Sequence, residues 1–134
     1  MYLGLLKESQ KEMFLELAIN LAKSDGDYSE EEHAIITSYC QEMQISFERD
    51  KKNRSIDELV SEFALLCTAQ EKKIIAFEII GLAMCDNVYH EKEKTIIEKM
   101  RKEFGLGNEF LEKCKTVIKE YIELQKKING FMFS

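Results

Sequence analysis

Asp25, Asp27 and Glu32 fall within eight consecutive positions, and Asp86 and Glu93 stand 61 residues beyond the first and last of them. Carboxylates grouped in this way are the ligands that hard divalent cations such as Ca²⁺ and Mg²⁺ take, several oxygens to one ion. Glu30 and Glu31 beside the first group, and Glu91 beside the second, deepen the negative field. His90 adds a nitrogen, so Asp86, His90 and Glu93 form a set suited to Mn²⁺ or Zn²⁺. The candidate metal ligands are therefore Asp25, Asp27, Glu32, Asp86 and Glu93, with Glu30, His90 and Glu91 as supplementary positions. They act as one cage on condition that the two segments converge. A structural reading accounts for the same residues: Asp25 and Asp86 as Asx turns, Glu32 and Glu93 as the acids that close capping boxes. At the level of sequence both readings stand.

Other chemistries fit less well. Asp25-x-Asp27-x-Ser29 opens like a calcium-binding EF-hand loop, but the sixth position is Glu30 instead of glycine and the twelfth is Ile36 instead of glutamate. Glu30-x-x-His33 has di-iron spacing, but its counterpart 61 residues on ends in Lys94. Cys40, Cys67, Cys85 and Cys114 form no C-x-x-C clip and read as small buried hydrophobes of a reduced protein. With two histidines, no glycine-flanked serine elbow and no phosphate-binding glycine loop, the expectation is a protein without catalytic activity.

Helices must position these acids. The chain has 134 residues, 45% of them hydrophobic and 33% charged, with no proline, which suits one globular domain. Apolar residues recur at spacings of three and four. Hydroxyl–acid capping motifs recur at Ser9/Glu12, Ser29/Glu32, Ser55/Glu58 and Thr68/Glu71. The expected helices cover about 3–23, 30–43, 56–66, 69–85, 91–104 and 109–127, with a short uncertain segment at 47–52. The 69–85 helix is apolar on nearly every face and belongs at the centre of a bundle. Within it, Glu78 reads as a lip or ion-pair position, and Gly81 as a point of close helix approach. Gly105 reads as a helix stop and Asn108 as the next cap. The last helix reads as an amphipathic helix facing the core, and the tail from Ile128 to Ser134 is expected to fold back onto the bundle, with docking on a neighbour or fraying as the alternatives.

The 61-residue offset extends beyond the acids. From 21 to 45 nine positions are identical to their counterparts, among them Leu21/Leu82, Ala22/Ala83, Tyr28/Tyr89 and Ile36/Ile97. Two copies of helix–acidic loop–helix, about 10–45 and about 71–106, followed by the C-terminal helix, are therefore expected in a pseudo-two-fold arrangement. The run Ala22, Asp25, Gly26, Ser29, Glu32 resembles the motif of TerB-like domains, a family that takes in tellurite-resistance proteins and the N-terminal cytoplasmic part of the co-chaperone DjlA. Ala83, Asp86, Asn87, His90 and Glu93 resemble its weaker second half, with Asn87 in place of glycine and His90 in place of serine. The resemblance spans about 10–125. It implies an all-α bundle of about seven helices, divalent-cation binding through these acids and no enzymatic activity.

Charge separates along the chain. Residues 1–93 hold 19 acidic and 10 basic residues, a net −9; residues 94–134 hold six and nine, a net +3. The overall −6 argues against a general nucleic-acid partner, and the acidic part suits cations or a basic protein surface. The absence of a long apolar run argues against a membrane span. The expectation is thus a cytoplasmic TerB-like accessory module that binds a divalent cation (Ca²⁺, Mg²⁺, Mn²⁺ or Zn²⁺), or alternatively a protein–protein interaction bundle in which the acids are helix caps.

Overall fold

A computed structural model describes residues 1–24, 29–46, 54–85 and 90–134. Among them lie a 3-10 turn, Leu3–Leu5, and six helices: α1 (Glu8–Lys23), α2 (Glu30–Met43), α3 (Ile56–Leu66), α4 (Ala69–Met84), α5 (Glu91–Glu103) and α6 (Asn108–Met132). The described residues contain no strand. The all-helical expectation holds, with six helices and a 3-10 turn where about seven helices were expected; the uncertain segment 47–52 lies outside the described residues.

Three of the four hydroxyl caps form. Ser29, Ser55 and Thr68 each accept the backbone N–H three residues on, from Glu32, Glu58 and Glu71, at 3.1 Å. Each cap satisfies an N–H that would otherwise lack an intrahelical partner. Ser9 does not cap. Leu6 is extended, Lys7 is the N-cap of α1, and the Gln10 side chain accepts the Lys7 N–H at 2.8 Å. The expected single helix over 3–23 is therefore broken at 6–7. Leu3 and Leu6 reach the core from the 3-10 turn, because a spacing of three places both on one face there too. Gly107, not Asn108, is the N-cap of α6.

The helix ends carry the same kind of stop at two places. Gln44, at the end of α2, and Gly105, after α5, have left-handed backbones with φ of 57° and 69°. The next amides, of Ile45 and Leu106, donate to the carbonyls of Cys40 and Arg101, each at 3.0 Å. This bond satisfies a carbonyl of the last turn.

α1 and α4 pack on each other at the centre. α2 and α3 also lie against α1, α5 and α6 lie against α4, and α3 touches α5. Phe14, Leu17, Phe63, Ile75, Ile79 and Leu82 fill the core. Phe14 meets Tyr39 edge-on at 5.2 Å between ring centres. Gly81 does not mark a tight contact, since a methyl group there would meet Ile118 at 3.9 Å, an ordinary packing distance.

The C-terminus departs most from expectation. α6 runs on to Met132, and the tail does not fold back: Phe131, Met132 and Phe133 are exposed. One face of α6 is buried through Leu111, Cys114 and Ile118, but Val117, Tyr121 and Leu124 are exposed. Its apolar stripe is wider and longer than its neighbour α4 covers.

Candidate functional site

α1 and α4 end in the same way, each followed in the chain by an acidic segment. The Ser24 amide donates to the Leu21 carbonyl at 3.1 Å, and the Cys85 amide to the Leu82 carbonyl at 3.4 Å. Asp25, Asp27 and Asp86 then fall outside the described residues. Glu32 and Glu93, in the helices that follow these segments, are buried, 4% and 1% exposed. Glu32 takes part in a full capping box, accepting from the Ser29 amide at 3.1 Å and the Ser29 hydroxyl at 3.0 Å. At α5 the N-cap is His90, whose side chain makes no cap bond to the helix. Both carboxylates sit in the first turn of a helix, where the unsatisfied N–H groups favour negative charge. Among the described residues, buried side-chain polar atoms all have hydrogen-bond partners.

The supplementary positions differ. Glu30, Glu31 and Glu91 are exposed, and Glu91 pairs with Lys94 at 3.2 Å. His90 is half-buried at the start of α5, and His33 is exposed. Among the described residues no three His, Cys, Asp or Glu side chains are grouped so as to hold a metal ion. Three of the five candidate acids, Asp25, Asp27 and Asp86, lie outside those residues.

Sequence reasoning missed a second feature, an open groove of about 940 Å³ between α2, α4 and α6. Ile35, Ile74, Phe77, Phe110, Val117 and Tyr121 line it. Lys73 lies over the Phe110 ring at 6.0 Å. At its polar end the Met1 ammonium meets Glu78 at 2.5 Å and Glu42 at 3.0 Å, so Glu78 is an ion-pair residue. Burial alone would lower the pKa of this ammonium, but the hydrogen bonds and charges of Glu78 and Glu42 outweigh it and hold the pKa above its ordinary value. The Tyr39 hydroxyl donates to the Glu78 carbonyl at 2.8 Å. Burial first, and then the nearby Glu78 carboxylate, push its pKa well up. The signal for the groove was present in the spacing of Val117, Tyr121 and Leu124, which spreads the apolar face of α6 beyond one partner's width.

The cysteines behave as small hydrophobes. Cys40, Cys67 and Cys114 are buried, and Cys85 is half-buried. Burial raises the thiols of Cys40 and Cys114 and pushes Cys67 up to about 11, so these three are protonated and poor nucleophiles at neutral pH.

With α1 and α4 at its centre, and α2 and α5 following them in the chain, the all-α fold is TerB-like. In structure the chain is similar to a tellurite resistance protein of Nostoc punctiforme PCC 73102, with a TM-score of 0.66 and 19% identity over 96% of this chain and 82% of that one. This likeness is one of fold. No family model matches the sequence. No curated protein matches it either. Among the described residues no helix is long and apolar enough to cross a membrane.

Proposed function

We propose that this TerB-like domain is a non-enzymatic accessory module whose two acidic corners bind a divalent cation. The observation that carries the reading is the pair Glu32 and Glu93, two buried carboxylates at the third position of α2 and α5, next to segments that supply Asp25, Asp27 and Asp86. Burying a carboxylate costs several kcal/mol unless charge or hydrogen bonds offset it. Both carboxylates already have partners within the fold; a bound cation adds to that compensation, and oxygen-rich sets of this kind prefer Ca²⁺ or Mg²⁺. The reading treats the chain as two copies of one helical hairpin. The equal 61-residue steps between Glu32 and Glu93 and between Gln44 and Gly105 support it. The fold likeness to a tellurite resistance protein supports a stress or resistance setting, and the free cysteines fit a cytoplasmic one.

The Ser29–Glu32 bonds favour a second reading, a protein–protein interaction bundle in which the acids cap helices. Thermal unfolding with and without metal separates the two. A ligand that binds only the folded state stabilises it by about 2.7 kcal/mol at a hundred times its Kd. Cation binding predicts that Ca²⁺, Mg²⁺, Mn²⁺ or Zn²⁺ raises the Tm, and that Asp25→Asn with Asp86→Asn removes the rise. If no metal at millimolar concentration moves the Tm, the interaction reading replaces it.

A further inference from the structure

The exposed apolar residues of α6 are in heptad register. Val117, Tyr121, Leu124, Ile128 and Phe131 are spaced four, three, four and three, and each is exposed, Leu124 at 56% and Phe131 at 70%. Alternating steps of three and four form the seam along which two helices pair. Among the described residues nothing covers this seam, and at its upstream end it runs into the groove, which Val117 and Tyr121 line.

The flanking charges select the partner. Glu120 and Lys127 both precede seam residues, Tyr121 and Ile128, and so stand at equivalent edge positions one heptad apart, opposite in sign. When α6 meets a second α6 antiparallel, with Tyr121 against Leu124 of the other copy and Val117 against Ile128, the same register sets Glu120 beside Lys127 twice along one edge. A parallel pair sets Glu120 beside Gln125, where the sign of charge has no consequence. The antiparallel register also carries the aromatic end of α6 to the other copy's groove. Phe131 lies about 13 Å from the centre of the pair, at the 1.5 Å rise of a helix, opposite Cys114 and between Phe110 and Val117 of the second copy. The two helical bodies are left at opposite ends. The contact is isologous and therefore closes at two copies.

We infer that α6 is a self-association element: two copies of this chain pair through the antiparallel C-terminal halves of α6, each placing Phe131 in the other's groove. This inference is independent of cation binding.

Analytical ultracentrifugation of the full chain tests it. The expected result is a concentration-dependent dimer. Glu120→Lys sets like charges in both of these pairs and raises the dimer Kd by about tenfold. Glu120→Lys with Lys127→Glu restores the wild-type Kd. Leu124→Glu, at the centre of the seam, raises it at least thirtyfold. All three positions are exposed, and circular dichroism checks that each variant folds. A chain that stays monomeric at about 500 µM overturns the inference. So does a dimer indifferent to both charge changes, or a monomer whose tail instead binds neutral phosphatidylcholine vesicles.

Discussion

The Gln10 amide donates to the Glu71 carboxylate at 3.2 Å, joining α1 to α4 between residues 61 positions apart. Each residue does the same job in its own helix: Gln10 accepts the Lys7 amide, and Glu71 accepts the Thr68 amide, both at 2.8 Å. The caps of the two central helices are thus tied to each other. The Thr68 amide, the largest influence, holds the Glu71 carboxyl below its usual range against the cost of desolvation, and the Gln10 amide adds to that hold.

Replacing Gln10 with glutamate keeps the bond from Lys7 but sets two carboxylates together. A depressed carboxyl such as Glu71 contributes stability above its unfolded value near 4.5, and that contribution is lost as pH falls through its folded value. Gln10→Glu reverses the slope. One of the paired carboxyls is raised, so the variant gains on wild type as pH falls from about 7 to about 4. Urea unfolding at the two pH values measures this. Thr68→Ala, which removes one cap acceptor, costs about 1 kcal/mol at neutral pH.

Gln44 and Gly105 share a left-handed backbone but not a residue type. Gln44→Gly removes a steric penalty and is expected to stabilise the protein by about 1 kcal/mol. Gly105→Ala is expected to destabilise it by a similar amount, although nothing lies within 4 Å of the added methyl. Thermal unfolding of both variants checks the opposite signs.

Gly81 lies within α4 with room for a methyl group beside Ile118. Gly81→Ala therefore gains helix propensity without a clash and raises stability by about 0.5–1 kcal/mol. A loss of stability would mean that α4 and α6 lie closer than described.

Glu16 holds Arg54 twice over. Its carboxylate accepts the Arg54 amide at 2.6 Å and the guanidinium at 3.0 and 3.2 Å, while Glu62 takes another guanidinium N–H at 3.1 Å. Arg54→Ala leaves the amide bond in place and costs about 1–2 kcal/mol. Glu16→Ala also takes the acceptor from a backbone amide and costs about 2–3 kcal/mol. Denaturant unfolding of the two variants and the double variant is expected to show strong non-additivity.

Most of the helical order was legible because it is local. Three hydroxyl caps, the apolar run of α4 and the stop at Gly105 are each set by neighbours within a turn. The break at Leu6–Lys7 was not legible, since Leu3 and Leu6 satisfy helical and 3-10 spacing equally and no glycine or proline marks the change. The Lys7 cap draws on the long Gln10 side chain instead of a hydroxyl, so no short-residue signature announces it. The fate of α6 was misread for a different reason. Its pattern says that a face is apolar but not what covers it, and α4 covers only the Leu111, Cys114 and Ile118 side. At the candidate site, the capping role of Glu32 was legible in the Ser29–Glu32 spacing, but the burial of Glu32 and Glu93 was not, since Glu30, Glu31 and Glu91 in the same first turns are exposed. The relation of Asp25 and Asp27 to Asp86 depends on how α1 and α4 aim their ends, which no local pattern encodes.

Isothermal titration of the purified, metal-stripped chain with Ca²⁺, Mg²⁺, Mn²⁺ and Zn²⁺ tests cation binding most directly. The account predicts saturable binding of one of these ions near one per chain, lost when either Asp25→Asn or Asp86→Asn is made alone, because the proposed site takes ligands from both acidic segments. Absence of heat with all four metals at millimolar concentration, or binding that Asp25→Asn and Asp86→Asn together leave unchanged, would contradict it.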